Sequence, residues 1–200
     1  MKTAFIIHGA NGSPKENWFP WLKKELGKCG YKVFAPKFPL GKNQNLKSWL
    51  GVFKKYEKYL APDSVVIGHS MSVPFLLSIM EKHAIDAAFL VAGFASLPEN
   101  KFDEICETFA NKKFDWRAIL KNCRKFAVFH SNNDPYVKIK KARELAKKLK
   151  TKVIMVKNAG HFNAASGYLT FELLLKRILL NAHGQSSVIC DLIGTHIIIK

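Results

Sequence analysis

Apolar positions along the chain fall into two alternating rhythms. Short continuous runs, rich in Val, Ile, Phe and Ala, predict strands at Thr3 to His8, Lys32 to Ala35, Ser64 to Gly68, Ala87 to Val91, Lys125 to His130 and Lys152 to Val156. Longer segments with a helical period separate them, at Trp18 to Cys29, Leu46 to Tyr59, Met71 to His83, Ile139 to Leu149 and Ser166 to Leu180. This alternation predicts an α/β fold, a doubly wound and mostly parallel sheet of about six strands with helices on both faces. One connection breaks the rhythm. Ala95 to Asn122 holds Pro98, several aromatics and mixed charges without a strand of its own, and it reads as a small cap or lid over the strand ends, where ligands bind in such folds.

The stretch from about Ala182 differs from the rest. Gly184-Gln185-Ser186-Ser187 should break the final helix, and Val188 to Lys200 closes with His196-Ile197-Ile198-Ile199. An added edge strand, an oligomer contact and a tail unrelated to function are all compatible with this pattern. Residues 1–181 then form one domain with one site, because 200 residues, 48% of them hydrophobic, suffice for a single substantial core.

Charge adds a question about partners. The formal net charge is +17, with 32 Lys and Arg against 15 Asp and Glu, which raises nucleic acid or an anionic surface as possibilities. The lysines recur as pairs inside helical segments, Lys23-Lys24, Lys54-Lys55, Lys112-Lys113, Lys140-Lys141 and Lys147-Lys148, without aromatic interleaving. Solvated helix faces explain them better than a nucleic-acid surface. No run approaches the ~20 apolar residues of a membrane span. Met1-Lys2-Thr3 leads straight into a short strand-like run rather than a signal peptide, and Cys29, Cys106, Cys123 and Cys190 have no metal-site spacing. A cytoplasmic protein with reduced thiols and no metal is expected.

The strongest local signal is Val65-Val66-Ile67-Gly68-His69-Ser70-Met71-Ser72-Val73, a strand, a tight turn and an apolar helix, which is the context of a nucleophile elbow. The residues two before and two after the nucleophile must be small, because strand and helix approach closely there. Gly68 fits; Ser72 stands where the usual pattern has Gly. Ser70 could instead merely cap the helix, but a cap would not predict two partners downstream in the required order. Phe126 to His130 empties into Ser131-Asn132-Asn133-Asp134-Pro135, and Val153 to Val156 is followed by Gly160-His161. Ser70, Asp134 and His161 thus follow strands in the order nucleophile, acid, base. The Met71 N–H and a second N–H from the glycine-rich loop His8-Gly9-Ala10-Asn11-Gly12-Ser13, Ala10 before Asn11, are the expected oxyanion donors. That loop carries neither phosphate-binding glycine motif. The other histidines, His8, His69, His83 and His130, are expected to be structural, and Trp18, Phe19 and Trp21 to pack or to wall a pocket.

These residues carry a resemblance. With Asn17-Trp18-Phe19-Pro20-Trp21-Leu22, Gly68-His69-Ser70, Ser131 through Asp134-Pro135 and Gly160-His161-Phe162-Asn163 in register, the chain from Met1 to about Leu180 resembles the small serine hydrolases that include retinoblastoma-binding protein 9 and the bacterial YdeN-like proteins. The resemblance implies a minimal cytosolic α/β-hydrolase that uses a Ser-Asp-His triad and needs no metal or organic cofactor. It assigns the nucleophile to Ser70, the acid to Asp134 and the base to His161. Family members have also been linked to protein partners. Ser72 and the stretch beyond Ala182 depart from the family pattern.

The expected reaction is cleavage of a small-molecule ester or amide through an acyl-enzyme on Ser70, as a carboxylesterase, thioesterase or peptidase. The alternative is a catalytically idle binding module on the same scaffold for a protein or anionic partner. Phe94, Phe102, Phe109, Phe114 and Trp116 are candidate walls of an acyl pocket, with core packing the competing reading.

Overall fold

The six strands pair in the order β2-β1-β3-β4-β5-β6 in a computed structural model that describes residues 1–183. They are β1 (Thr3–Ile7), β2 (Lys32–Phe34), β3 (Val65–His69), β4 (Ile85–Val91), β5 (Cys123–Ser131) and β6 (Val153–Val156). Every pairing is parallel, so all carboxyl ends emerge on one edge of the sheet. The predicted α/β architecture is the one observed.

Successive side chains of a strand point to opposite faces. In β1, Phe5 and Ile7 enter one core while Ala4 and Ile6 enter another. Both faces are covered, which is why the strands read as continuous apolar runs rather than as an alternation. The helices α1 (Phe19–Lys28) and α7 (Glu172–His183) contribute Leu22, Leu26, Leu174 and Ile178 to one core. On the other face lie α2 (Leu46–Phe53), α3 (Ser72–Met80), α4 (Asp103–Ala110), α5 (Trp116–Asn122) and α6 (Ile139–Lys148). All residues of α3 are buried. It is therefore the central helix, fixed from every side.

Local differences from the sequence reading have identifiable causes. The second helix ends at Phe53, and Glu57–Tyr59 is a separate 3-10 turn whose Tyr59 stacks on Phe34 of β2 at 4.7 Å. The predicted Ser166 to Leu180 helix is delayed: Ala164–Ser166 is a 3-10 turn stopped by Gly167 at φ 82°, and α7 starts at Glu172. The 95–122 segment carries α4 and α5. Its Phe109 packs edge-on against Trp49 at 5.0 Å and its Lys112 pairs with Glu81 at 2.7 Å, so much of it is fastened to α2 and α3. Most members of the lysine pairs are exposed, as expected of solvated faces, but Lys141 is buried, because its ammonium reaches back to Glu99 at 2.7 Å and Ser96 at 3.2 Å. The expectations for the tail lie outside the described residues, apart from Ala182 and His183, which end α7. Among the described residues no helix is long and apolar enough to cross a membrane.

Candidate active site

The loops leaving β1, β3, β5 and β6 surround a cavity of about 410 Å3 lined by Gly9, Ala10, Ser70 and His161, with Asn11, Glu16 and Asn17 on one part of its wall and Phe94, Phe102, Cys106 and Val137 on another. Ser70 ends the β3 exit turn in the left-handed region, at φ 57°. For a residue with a Cβ this conformation costs about 1–2 kcal/mol, and its surroundings hold it there. Its N–H donates to Val91 O at 2.9 Å. Gly68 is required by the close approach of α3, since a Cβ on it would lie 2.7 Å from Leu76 Cδ1.

Ser72, the departure from the usual elbow pattern, has a structural explanation. Its hydroxyl accepts the His69 N–H at 2.7 Å and lies 2.9 Å from both Ile7 O and His69 O, tying the elbow to β1. A glycine there would remove all three contacts.

His161 and Asp134 meet face to face. His161 Nδ1 lies 2.8 Å from Asp134 Oδ2 and 3.0 Å from Oδ1. Asp134 Oδ1 also accepts N–H bonds from Tyr136 at 2.9 Å and Val137 at 3.0 Å. Burial alone would raise the carboxyl pKa. The hydrogen bond and charge of His161, with the two N–H donors, outweigh it and hold Asp134 below its ordinary value. Tyr136 lies edge-on to the imidazole with ring centroids 5.0 Å apart.

Of the two expected oxyanion donors, one belongs to a residue that lines the cavity. Ala10 lines it, and Met71 directly follows Ser70 at the start of α3. Asn11 N–H, the alternative, is taken by Gln44 Oε1 at 3.0 Å. Gln44 is buried and its Nε2 sits 3.7 Å from Met71 Sδ, so one side chain braces both donor segments. Its polar surroundings from Gly41 to Asn45 carry no sequence signal for this role.

The neighbouring histidines are structural, and two of them brace the site. His8 Nδ1 donates to Gly9 O at 2.9 Å while its Nε2 accepts Phe38 N–H at 3.1 Å, which fixes its tautomer and the β1 exit loop. His69 reaches farther than its own loop: its Nε2 donates to His161 O at 2.7 Å. Burial, with the nearby His161, pushes His69 from an ordinary 6.5 down to about 3. Of the aromatic candidates, Phe94 and Phe102 line the cavity. Phe109 lies in the core against Trp49, and Phe114 and Trp116 face each other at 5.5 Å, so none of these three is among the cavity's lining residues. Cys106 does line it, but burial pushes its thiol up to about 12.

Comparison with known proteins gives this arrangement its class. The serine hydrolase family model matches residues 4–179, and the chain belongs to that family. The YdeN protein of Bacillus subtilis is 28% identical over 178 residues, covering 86% of this chain and 92% of its own. Serine hydrolase RBBP9 of Rattus norvegicus is 26% identical over 162 residues, covering 80% and 86%. The crystal structure of the B. subtilis ydeN gene product superposes with a TM-score of 0.84 over 90% of this chain and 98% of that one.

Two outcomes test this account of the site. Ser72→Ala removes the hydroxyl shared by His69 N–H, Ile7 O and His69 O and should lower the unfolding free energy by about 1 kcal/mol in urea denaturation. The unfolded chain takes up a proton on His69 near 6.5, whereas the folded chain refuses it until about 3. Stability is therefore complete above pH 6.5 and falls as the pH is lowered toward 3. Between pH 6 and 4 the wild type should lose stability more steeply than His69→Gln, by about 1.4 kcal/mol per pH unit, in denaturation series across pH.

Proposed function

We propose that the protein hydrolyses small, neutral esters or amides through an acyl-enzyme on Ser70. The observation that carries this reading is the imidazole of His161, seated on the Asp134 carboxylate at 2.8 Å beside a cavity that Ser70 also lines. His161 Nε2 takes the Ser70 hydroxyl proton as Oγ attacks the carbonyl carbon, and the Met71 and Ala10 N–H groups receive the oxyanion. The tetrahedral intermediate collapses as His161 protonates the departing alcohol or amine. Water then gives a proton to His161 and attacks the acyl carbonyl; collapse releases the acid and returns the proton to Ser70. Asp134 holds the imidazole in the tautomer that leaves Nε2 free to accept. Cys106 is no rival nucleophile, since a thiol held near 12 offers almost no thiolate at neutral pH.

A fluorophosphonate probe should label Ser70, located by peptide mapping, and Ser70→Ala or His161→Ala should cut turnover on a test ester by about a millionfold. Ser70→Ala keeping most of its activity overturns the assignment.

Among the described residues the +17 charge does not extend into the cavity, whose lining includes the carboxylate of Glu16 and no lysine or arginine. A neutral ester should therefore be hydrolysed about 3- to 10-fold more efficiently than a carboxylate-bearing ester of equal size. Glu16→Gln should narrow that gap in kcat/KM.

A further inference from the structure

His161 sits in a loop whose backbone does not favour its own shape. Asn158, Gly160 and Phe162 all have left-handed φ angles, of 56°, 54° and 52°. Gly160 is confined further, since a Cβ there would fall 2.2 Å from Ser166 Oγ. Such a loop needs outside partners to stay in one conformation. They come from the exit of β5: Asn132 Oδ1 accepts Asn158 N–H at 2.7 Å, Ser131 Oγ accepts Ala159 N–H at 2.9 Å, and Asn133 Oδ1 accepts Gly160 N–H at 2.8 Å. Ser131 Oγ donates in turn to Asn133 Oδ1 at 2.6 Å, so two of the acceptors also lock each other. The next residue of the strand exit, Asp134, then receives the next residue of the loop, His161.

We infer that Ser131, Asn132 and Asn133 are positioning residues for the base: by seating three successive N–H groups of the 158–160 loop they deliver His161 to Asp134 in a single register. The opposite side of the loop is pinned separately, by Trp18 Nε1 to Phe162 O at 2.9 Å and Ala164 N–H to Asn17 Oδ1 at 2.8 Å. Of these contacts, only those from β5 act between the strand that carries the acid and the loop that carries the base. Their loss would let the imidazole drift relative to Ser70 without emptying the cavity. The inference rests on the reading of His161 as the base.

The test is hydrolysis of p-nitrophenyl butyrate by Asn132→Ala, Asn133→Ala, the double variant and Asn133→Asp, with thermal unfolding measured alongside. The alanine variants should lose roughly 10- to 100-fold in kcat, with KM and fluorophosphonate-reactive geometry separating cleanly: KM within about twofold, labelling rate reduced in step with kcat. Asn133→Asp should recover most of that loss, because its carboxylate oxygen accepts the same two donors. Both asparagines are exposed, so the single variants keep the test available if the double variant does not fold. Alanine variants with a lowered Tm but wild-type kcat at a temperature where they are folded overturn the inference. His161→Ala separates the two levels: if it is inactive while the asparagine variants match wild type, the clamp alone fails, and if it keeps full activity, the assignment of the base fails with it.

Discussion

The close approach of α3 to β3 is the constraint on which the rest of the site depends. Gly68 admits the helix because it has no side chain to collide with Leu76, and the chain must then turn through a left-handed Ser70 within a single residue. A turn this sharp places Ser70 at the carboxyl edge of the sheet, in the wall of the cavity. It is held by groups that are themselves buried: Val91 O on one side and the Ser72 hydroxyl bonded to β1 on the other. The departure at position 72 thus replaces backbone compactness with a hydrogen-bonded cross-link.

Around this turn the protein uses neutral histidines as rigid connectors. His8 and His69 each join two backbone segments, and burial keeps both from charging near neutral pH. Among the described histidines, His161 alone sits on a carboxylate at hydrogen-bond distance on both oxygens. The environments therefore differentiate chemically identical side chains: one imidazole is paired with a carboxylate while its neighbours hold backbone groups. The same division applies to charge: lysines cover the helices, whereas the cavity presents amide, aromatic and carboxylate groups. Surface charge and the cavity lining are thus set by different residues.

The serine, the acid and the histidine were all legible from sequence because each follows a strand-like run directly, and a parallel sheet sends every such exit to one edge. The glycine-rich loop was legible for the same reason. The alternation of runs also identified the six strands and the helices on both faces, since burial on two sides leaves an uninterrupted apolar signature. Helix ends were less legible: the second stopped at Phe53 and the last was delayed to Glu172, because tertiary packing and the left-handed Gly167 decided them. Phe109, Phe114 and Trp116 resembled pocket residues, yet an aromatic in a cap segment carries no mark of whether it faces a cavity or a neighbouring helix.

By itself the sequence determined the order of elements and the strand–turn–helix setting of Ser70, and it singled out Asp134 and His161 as candidates, because those depend on local periodicity and chain order. Only the tertiary structure shows that Asn11 N–H is taken, by Gln44 arriving from 33 positions away. It also decided that His69 supports the carbonyl of His161, and that Ser131, Asn132 and Asn133 meet the backbone of the 158–160 loop. These contacts join residues remote in the chain, and a hydrogen bond between distant segments exists only once packing has brought its donor and acceptor together.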